Sequence, residues 1–273
     1  MADLNLDAEG LDRYARHVVM GDVGPEGQAR LLESSVLVVG AGGLGSPVLQ
    51  YLAAAGVGRL AIADPDAVER SNLQRQVIHG EADLGRPKVE SAREFVAGLN
   101  PDVTVETHET RVTSDNVGDL IAGHDVVVDA SDNFPTRYLL NDACALAGVP
   151  LSQGSVLRFE GQVTTVPGEE PCYRCLFPEA PPEGTVPDCA TAGVLGVVPG
   201  TIGCIQATEA VKLVLDVGTS LSGRLLHYDA LALSFETIPI ERSPDCPVCT
   251  GGIESVGEVE YEGRCSVGGA DLS

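Results

Sequence analysis

The stretch SSVLVVGAGGLGSP, Ser34 to Pro47, constrains the fold more than any other part of the chain. A β-branched apolar run enters a glycine cluster, and VLQYLAAAG follows with helical composition. Gly40, Gly42 and Gly45 spell G-x-G-x-x-G. A strand–loop–helix turn of this kind uses glycine for the tight turn, for close approach of backbone to phosphate, and for packing of helix on strand. The helix N-terminus then presents unpaired N–H groups and a positive dipole end to an anion. No residue from Ser34 to Gly58 is charged, a length sufficient to span a membrane. The glycines, Pro47 and the strand-like start point instead to a buried strand, loop and helix.

Short apolar strands are expected at Val36–Val39, Leu60–Asp64, Val103–Thr107 and Asp125–Asp129. Between and after them the spacing predicts helices at Pro47–Ala55, Lys88–Leu99, Ser114–Ile121 and Pro135–Ala147. That alternation reads as βαβ units. The expected fold is α/β, a Rossmann-like and mostly parallel sheet with helices on both faces. Beyond residue 150 the pattern changes. FEGQVTTVPG, RLLHYDA and LSFETIPI alternate like antiparallel strands, with one helix expected from Thr201 to Val217. The sheet is therefore expected to continue into an antiparallel C-terminal portion. EEPCYRCLFPEAPPEGTVPDCATAG has the Pro and Gly density of a long loop, and residues 251–273, polar, acidic and aperiodic, are expected to be disordered or loosely attached.

A chain of 273 residues can bury one large core or two small ones. Trp is absent and aromatics make up 4%, so the core must rest on Val, Leu, Ile and Ala. Acids outnumber bases 40 to 17, for a net charge of -23. Such a balance reads as a solvated acidic surface of the kind halophile proteins use; a specific basic partner is the sharper alternative. Nucleic acid is excluded as a partner, because no basic stripe is present to release counterions. The acidic N-terminus is neither a signal nor a transit peptide, so a cytoplasmic, membrane-free protein is expected. That compartment disfavours disulfides for the eight cysteines and favours metal or catalytic use.

Asp64 closes the second strand, where dinucleotide enzymes place an acid on the ribose hydroxyls. Alone, this supports NAD or FAD. The next residues do not suit a hydride enzyme. DPDAVERSNLQRQ brings Ser71, Asn72 and Arg75, and Lys88 follows. Guanidinium and ammonium groups near a nucleotide suit a triphosphate, whose charge they neutralise. DASDN then ends another strand at its carboxyl end, where ligands of open α/β sheets bind. Asp132 there could hold Mg²⁺, which prefers carboxylate, water and phosphate oxygens. Each of these residues alone reads better as a surface charge or a turn former. Together they set two bases and two acids around one glycine loop. An NAD-dependent oxidoreductase stays as the second reading, without a hydride-transfer constellation to support it.

Cys172 and Cys175 form one C-x-x-C, Cys246 and Cys249 another. Four thiolates suit tetrahedral Zn²⁺ with no open position, a structural staple across the fold; two disulfides or two redox pairs are the alternative. Cys189 has no C-x-x-C partner. It reads as a small buried hydrophobe or as a nucleophile carrying a thioester or persulfide, although Asp188 beside it would raise the thiol pKa. Cys144 and Cys204 read as core and Cys265 as incidental. His17, His79, His108, His124 and His227 show no metal spacing, and Glu209 is expected to face out or to cap a network.

These motifs resemble one family along nearly the whole chain, from about Leu11 to Cys249. RYARH, VGAGGLGSPVLQYLAAAGVG, DPDAVERSNLQRQ, GRPKVESA, DASDNFPTRYLLN and GQVTTV…PCYRCLF look like the MoeB/ThiF family of ubiquitin-activating-like adenylyltransferases. SNLQRQ and PKVESA are the specific elements; the glycine loop is common to many folds. The resemblance implies ATP-dependent adenylation, with Mg²⁺, of the C-terminal glycine of a small ubiquitin-fold carrier. It implies a domain over 11–250, with a nucleotide half (11–150) and a half for the carrier, the zinc and the cysteine loop (151–250). Gly43 and Asp64 would then sit on the nucleotide, and Ser71, Asn72, Leu73, Gln74, Arg75 and Lys88 would contact its phosphates and ribose. Asp132 would hold Mg²⁺ with Asn133 beside it. Arg16 would reach into the partner subunit of a homodimer, and Cys189 would be the active-site cysteine, with Asp188 where the family carries Thr. Family members that fuse a rhodanese domain do so after the last C-x-x-C. This chain ends too soon for one, so a separate sulfur donor is expected.

Overall fold

The computed structural model describes residues 6–168, 171–181 and 192–261. Among them one eight-stranded sheet organises the chain, in the order β3-β2-β1-β4-β5-β6-β7-β8. β1 (Ser35–Val39), β2 (Arg59–Ala63), β3 (Thr104–His108), β4 (Val126–Asp129) and β5 (Leu151–Leu157) run parallel. β5 then pairs antiparallel with β6 (Glu160–Val166), followed by β7 (Arg224–Asp229) and β8 (Ser234–Pro239). The expected change of strand direction is thus made at β5, which the sequence pattern did not reveal. LSQGSVL lacks the apolar run of its neighbours because Ser152 and Gln153 are buried under polar partners.

β1 shows why the sheet needs two covers. Val36 and Val38 face one apolar cluster, Leu37 and Val39 the other, and all five residues are buried. Parallel strands covered on both sides read as continuous hydrophobic runs. One face carries α3 (Gly24–Glu33), α4 (Gly45–Ala55), α5 (Lys88–Leu99) and α9 (Val197–Leu215). The other carries α6 (Val117–Ile121), α7 (Phe134–Ala147) and the short α8 (Tyr173–Leu176). The uncharged stretch from Ser34 to Gly58 is accordingly β1, the glycine loop and α4. No helix among the described residues is long and apolar enough to cross a membrane.

Two short N-terminal helices, α1 (Ala8–Arg13) and α2 (Ala15–Val18), precede α3 and were not foreseen. Tyr14 between them is buried, accepts a hydrogen bond from Asn100 Nδ2 at 2.8 Å, and packs where Gly56 (φ +83°) has no side chain. Glu209 on α9 caps a network, as one expectation had it. It accepts from Thr165 Oγ1 at 3.1 Å and from the Leu221 N–H at 2.6 Å, and pairs with Lys212. Cys144 is buried as expected, whereas Cys204 is half-buried rather than core.

The segment after Gly251 departs from expectation over its described part. Ile253, Val256 and Val259 pack on the apolar cluster of α7, and Tyr261 is buried. The cause is a long-range hydrogen bond, Tyr261 Oη to Asp142 Oδ2 at 2.7 Å. Asp142, fully buried, also accepts from Asn141 Nδ2 (2.9 Å) and from Arg174 Nε (2.7 Å) and Nη2 (2.8 Å). Those four donors match the roughly four acceptor positions of a carboxylate. Residues 262–273, with Cys265, lie outside the described residues.

Candidate active site

The glycine loop is built by two positions that cannot carry a side chain. Gly40 has φ +101°, and a Cβ there would lie 2.6 Å from the Ala130 carbonyl oxygen. At Gly45 a Cβ would stand 1.9 Å from the Gly40 carbonyl oxygen, so α4 rests directly on the strand end. Gly45→Ala is expected to destabilise the fold by about 3 kcal/mol, an overpacking cost, read as a shift of the urea midpoint. Gly42 and Gly43 serve differently. Both line an open cavity of about 180 Å³ at the carboxyl ends of β1, β2 and β4, and their missing side chains leave the backbone open to it.

Asp64, just beyond β2, holds this loop. Its Oδ2 accepts the Ala41 N–H and its Oδ1 the Asp66 N–H, each at 2.8 Å. Burial pushes its carboxyl above the usual range, and Lys88 pulls it back. His79 braces the loop from behind. Its Nε2 lies 2.9 Å from the Ala41 carbonyl oxygen and its Nδ1 2.8 Å from Ser91 Oγ on α5. A carbonyl only accepts, so Nε2 carries the proton and Nδ1 takes the Ser91 hydroxyl. Burial holds this imidazole below its ordinary value of 6.5. The unfolded chain therefore takes up a proton that the folded chain refuses, so stability falls as the pH drops below 6.5. Urea midpoints measured against pH are expected to show this loss, with a shallower slope in His79→Gln.

The two expected bases meet the loop across the cavity. Lys88, the first residue of α5, is buried, and its Nζ donates to Asp66 Oδ2 at 2.9 Å. Arg75 lines the cavity, aimed by the turn before it: Nη2 donates to Asn72 Oδ1 (2.9 Å) and Nη1 to the Ser71 carbonyl (3.3 Å). Ser71 and Asn72 thus sit behind Arg75, and with Leu73 and Gln74 they do not line the cavity themselves. Asp132 stands exposed on its rim, and Asn133 caps α7 by accepting the Thr136 N–H at 2.9 Å. Gly42, Gly43, Asp64, Arg75, Lys88, Asp132 and Asn133 are therefore brought together. Arg16 is not; it is exposed on α2. Cys189 and Asp188 lie outside the described residues.

The sequence reading missed several groups at this cavity. Asp66 holds Lys88, His79 braces the loop, and Gln76, Arg111 and Arg137 line the wall. Val156, Val194 and Pro199 add an apolar side from the second half. The second acid of DPD was a readable signal for Asp66; the others are placed by the fold alone.

The four cysteines converge within the apolar cluster that packs on α7. Cys172, Cys175, Cys246 and Cys249 bring their Sγ atoms within 4.8 Å of one another. Cys172 and Cys246 are 3.6 Å apart, as are Cys175 and Cys249. That is far beyond the ~2.0 Å of a disulfide. It is close to the ~3.8 Å edge of a tetrahedron with 2.3 Å metal–sulfur bonds. Burial and the adjoining Cys246 push the Cys172 thiol up to about 12, so its thiolate needs a cation beside it. The pairs lie 74 residues apart in sequence, and Arg174, between the first two cysteines, ties their loop to Asp142 on α7.

Fold and site together define a nucleotide-binding α/β protein with a phosphate loop facing two bases, and with a four-cysteine cluster that could bind a metal. Residues 14–248 match the ThiF family, and the chain belongs to that family. It is 64% identical over 265 residues to the SAMP-activating enzyme E1 of Haloferax volcanii, covering 97% of this chain and 98% of the relative. To the sulfur carrier protein adenylyltransferase of Thermus thermophilus it is 52% identical over 265 residues, covering 95% and 98%. To the adenylyltransferase and sulfurtransferase MOCS3 of Sus scrofa it is 51% identical over 269 residues, covering 97% and 59%. The crystal structure of E. coli MccB with ATP shares its fold, with a TM-score of 0.77 at 22% identity over 91% of this chain and 76% of that one. The family resemblance is borne out, and the expected enzyme class, an adenylyltransferase, is that of these relatives.

Proposed function

We propose that this chain uses ATP to adenylate the C-terminal glycine of a small ubiquitin-fold carrier ending in Gly-Gly, releasing pyrophosphate. The activated carrier would serve sulfur transfer, for molybdopterin or tRNA thiolation, or protein conjugation. One observation carries the reading: a single cavity gathers the glycine loop, Asp64, Arg75, Lys88 and Asp132 from five separate segments. Two bases suit a triphosphate better than a nicotinamide, and relatives at 64% and 52% identity are named for carrier or modifier activation.

In the reaction a carboxylate oxygen of the carrier bonds to the α-phosphorus. The bond from that phosphorus to the bridging oxygen breaks, and pyrophosphate leaves with the electron pair. Positioning and charge stabilisation supply most of the acceleration. Asp64 spends two of about four acceptor positions on the loop and keeps the rest for ribose hydroxyls. Lys88 exchanges Asp66 for phosphate oxygens, and Arg75, already aimed by Ser71 and Asn72, meets the same charge. Leu73 and Gln74 complete the turn that carries them. Asp132, an exposed carboxylate on the rim with Asn133 at 3.5 Å, fits Mg²⁺, which would neutralise phosphate charge there. The four thiolates fit Zn²⁺ as a closed structural site.

The remaining assignments rest on the family. The functional unit is a homodimer in which Arg16 enters the partner's cavity. Cys189 carries the activated carrier as a thioester or persulfide, with sulfur from a separate donor, and the compartment is the cytoplasm. ATP–pyrophosphate exchange tests the central claim. Exchange is expected with a Gly-Gly carrier and lost when its last glycine is removed; no exchange with any such carrier of the same cell would reject the reading.

A further inference from the structure

Besides Lys88, the cavity contains a second buried cation that the phosphate-binding residues do not account for. Arg137, four residues into α7, lines the cavity although its side chain is only 8% exposed. Its nearest carboxylate, Asp129, is fully buried and stands 4.0 Å from Nε. Asp129 is already served elsewhere. Oδ1 accepts the Ser131 N–H at 2.9 Å and the Ser131 hydroxyl at 2.5 Å, and Oδ2 accepts Gln153 Nε2 at 3.3 Å. Arg137 Nε has no hydrogen-bond partner. The Phe134 ring lies 5.2 Å from the guanidinium carbon, and the Tyr173 hydroxyl is its other polar neighbour. A buried donor left unpaired costs about 1–3 kcal/mol. A role as counter-ion to Asp129 leaves that cost in place.

Its place in the fold says which acceptor. Arg75 and Lys88 face the loop from the β2 side, where the triphosphate belongs. Arg137 lies beyond Asp132, toward β5, and Gln153 of β5 donates to its carbonyl at 3.3 Å. Val156 and Val194 of the second half line the cavity as well, while Pro199 stands against Gly43. Adenylation must bring a carboxylate against a polyphosphate of the same sign. A guanidinium fork matches a carboxylate in two parallel hydrogen bonds, and holding the nucleophile in line lowers the barrier further. We infer that Arg137 binds the C-terminal carboxylate of the protein substrate and holds it for attack on the α-phosphate. This rests on the adenylation reading above.

The test uses the full-length enzyme and, as probe, a ubiquitin-fold carrier ending in Gly-Gly that supports exchange with the wild type. The carrier is made as the free acid and as the C-terminal carboxamide, and both are titrated without ATP. The wild type is expected to bind the acid at least about tenfold more tightly than the amide, the worth of a charge-assisted pair. In Arg137→Gln that preference vanishes, while affinities for the amide and for ATP stay within about twofold. Arg137→Lys keeps part of the preference. A preference that survives in Arg137→Gln, or a loss shared equally by acid and amide, or a weakening confined to ATP, overturns the inference. Should Arg137→Gln fail to fold, Arg137→Lys and the wild-type ratio decide, and a wild-type ratio near one rejects it. If no carrier supports exchange at all, the adenylation reading itself fails; exchange with an unaltered acid preference removes only the role of Arg137.

Discussion

Lys88→Met is expected to lower kcat/KM for ATP–pyrophosphate exchange by about 10²- to 10³-fold, the usual loss when one preorganised charge-stabilising group is removed from a reaction centre. Met is chosen because it keeps an unbranched apolar stem in a site where Lys88 is buried. The group left behind, Asp66, has a side chain 60% exposed and turns to water. Asp64, which is buried, loses the pull of Lys88 but keeps the Ala41 and Asp66 N–H donors, so the melting temperature is expected to fall by only a few degrees. The effect should fall on kcat more than on nucleotide affinity, because Asp64, Gly42 and Gly43 still hold ribose and phosphate. Equal exchange rates in the variant would remove Lys88 from the chemistry. A large fall in melting temperature would instead make its pairing with Asp66 a structural element.

The contrast between Lys88 and Arg137 shows how far the sequence reached. Lys88 opens the helix Lys88–Leu99, whose limits were read correctly because Pro87 ends the preceding loop and the apolar spacing is regular. Strands β1, β2 and β4 lie within about a residue of the expected bounds, since buried parallel strands carry unbroken apolar runs, and the half-exposed edge strand β3 is displaced by one residue. The glycine loop, Asp64, Arg75, Lys88 and Asp132 were all legible because each sits in a short contiguous motif. What depends on distant contact was not. Tyr14 belongs to a helix pair too short to announce itself, and it is placed by Asn100, 86 residues away. Tyr261 is fixed by Asp142, 119 residues away, so an acidic and aperiodic segment packs where local composition suggested a loose end. Arg137 reads locally as one basic residue on a helix; only the fold brings it under the cavity wall beside a buried carboxylate. Ser71 and Asn72 were recognised by their motif, yet their present contacts are with Arg75, which local pattern does not specify.

Cys246→Ser is expected to abolish metal binding and to lower stability by at least about 4 kcal/mol, roughly 10 °C in melting temperature for a chain of this size. The wild type should carry one Zn²⁺ per chain by elemental analysis, and the variant none. Cys246 is buried, and its Sγ lies 3.6 Å from that of Cys172. Without a cation, nothing holds 172–175 against 246–249. The loss should spread in one direction. Arg174 leaves Asp142 when its loop detaches, and a fully buried carboxylate then loses two of its four donors. Tyr261 and the segment before it lose their anchor with it. The glycine loop and α5, which begins with Lys88, pack into the other apolar cluster, across the sheet, through Ala41, Leu44 and Val89. ATP affinity in the variant should therefore remain within a few fold of the wild type. Proteolysis is expected to release fragments from the region after residue 240 first, while the nucleotide half resists. A metal-free variant with unchanged melting temperature would show that Arg174, Asp142 and Tyr261 hold the module without the cysteines. An equal collapse of ATP binding would show instead that the two faces of the sheet do not come apart independently.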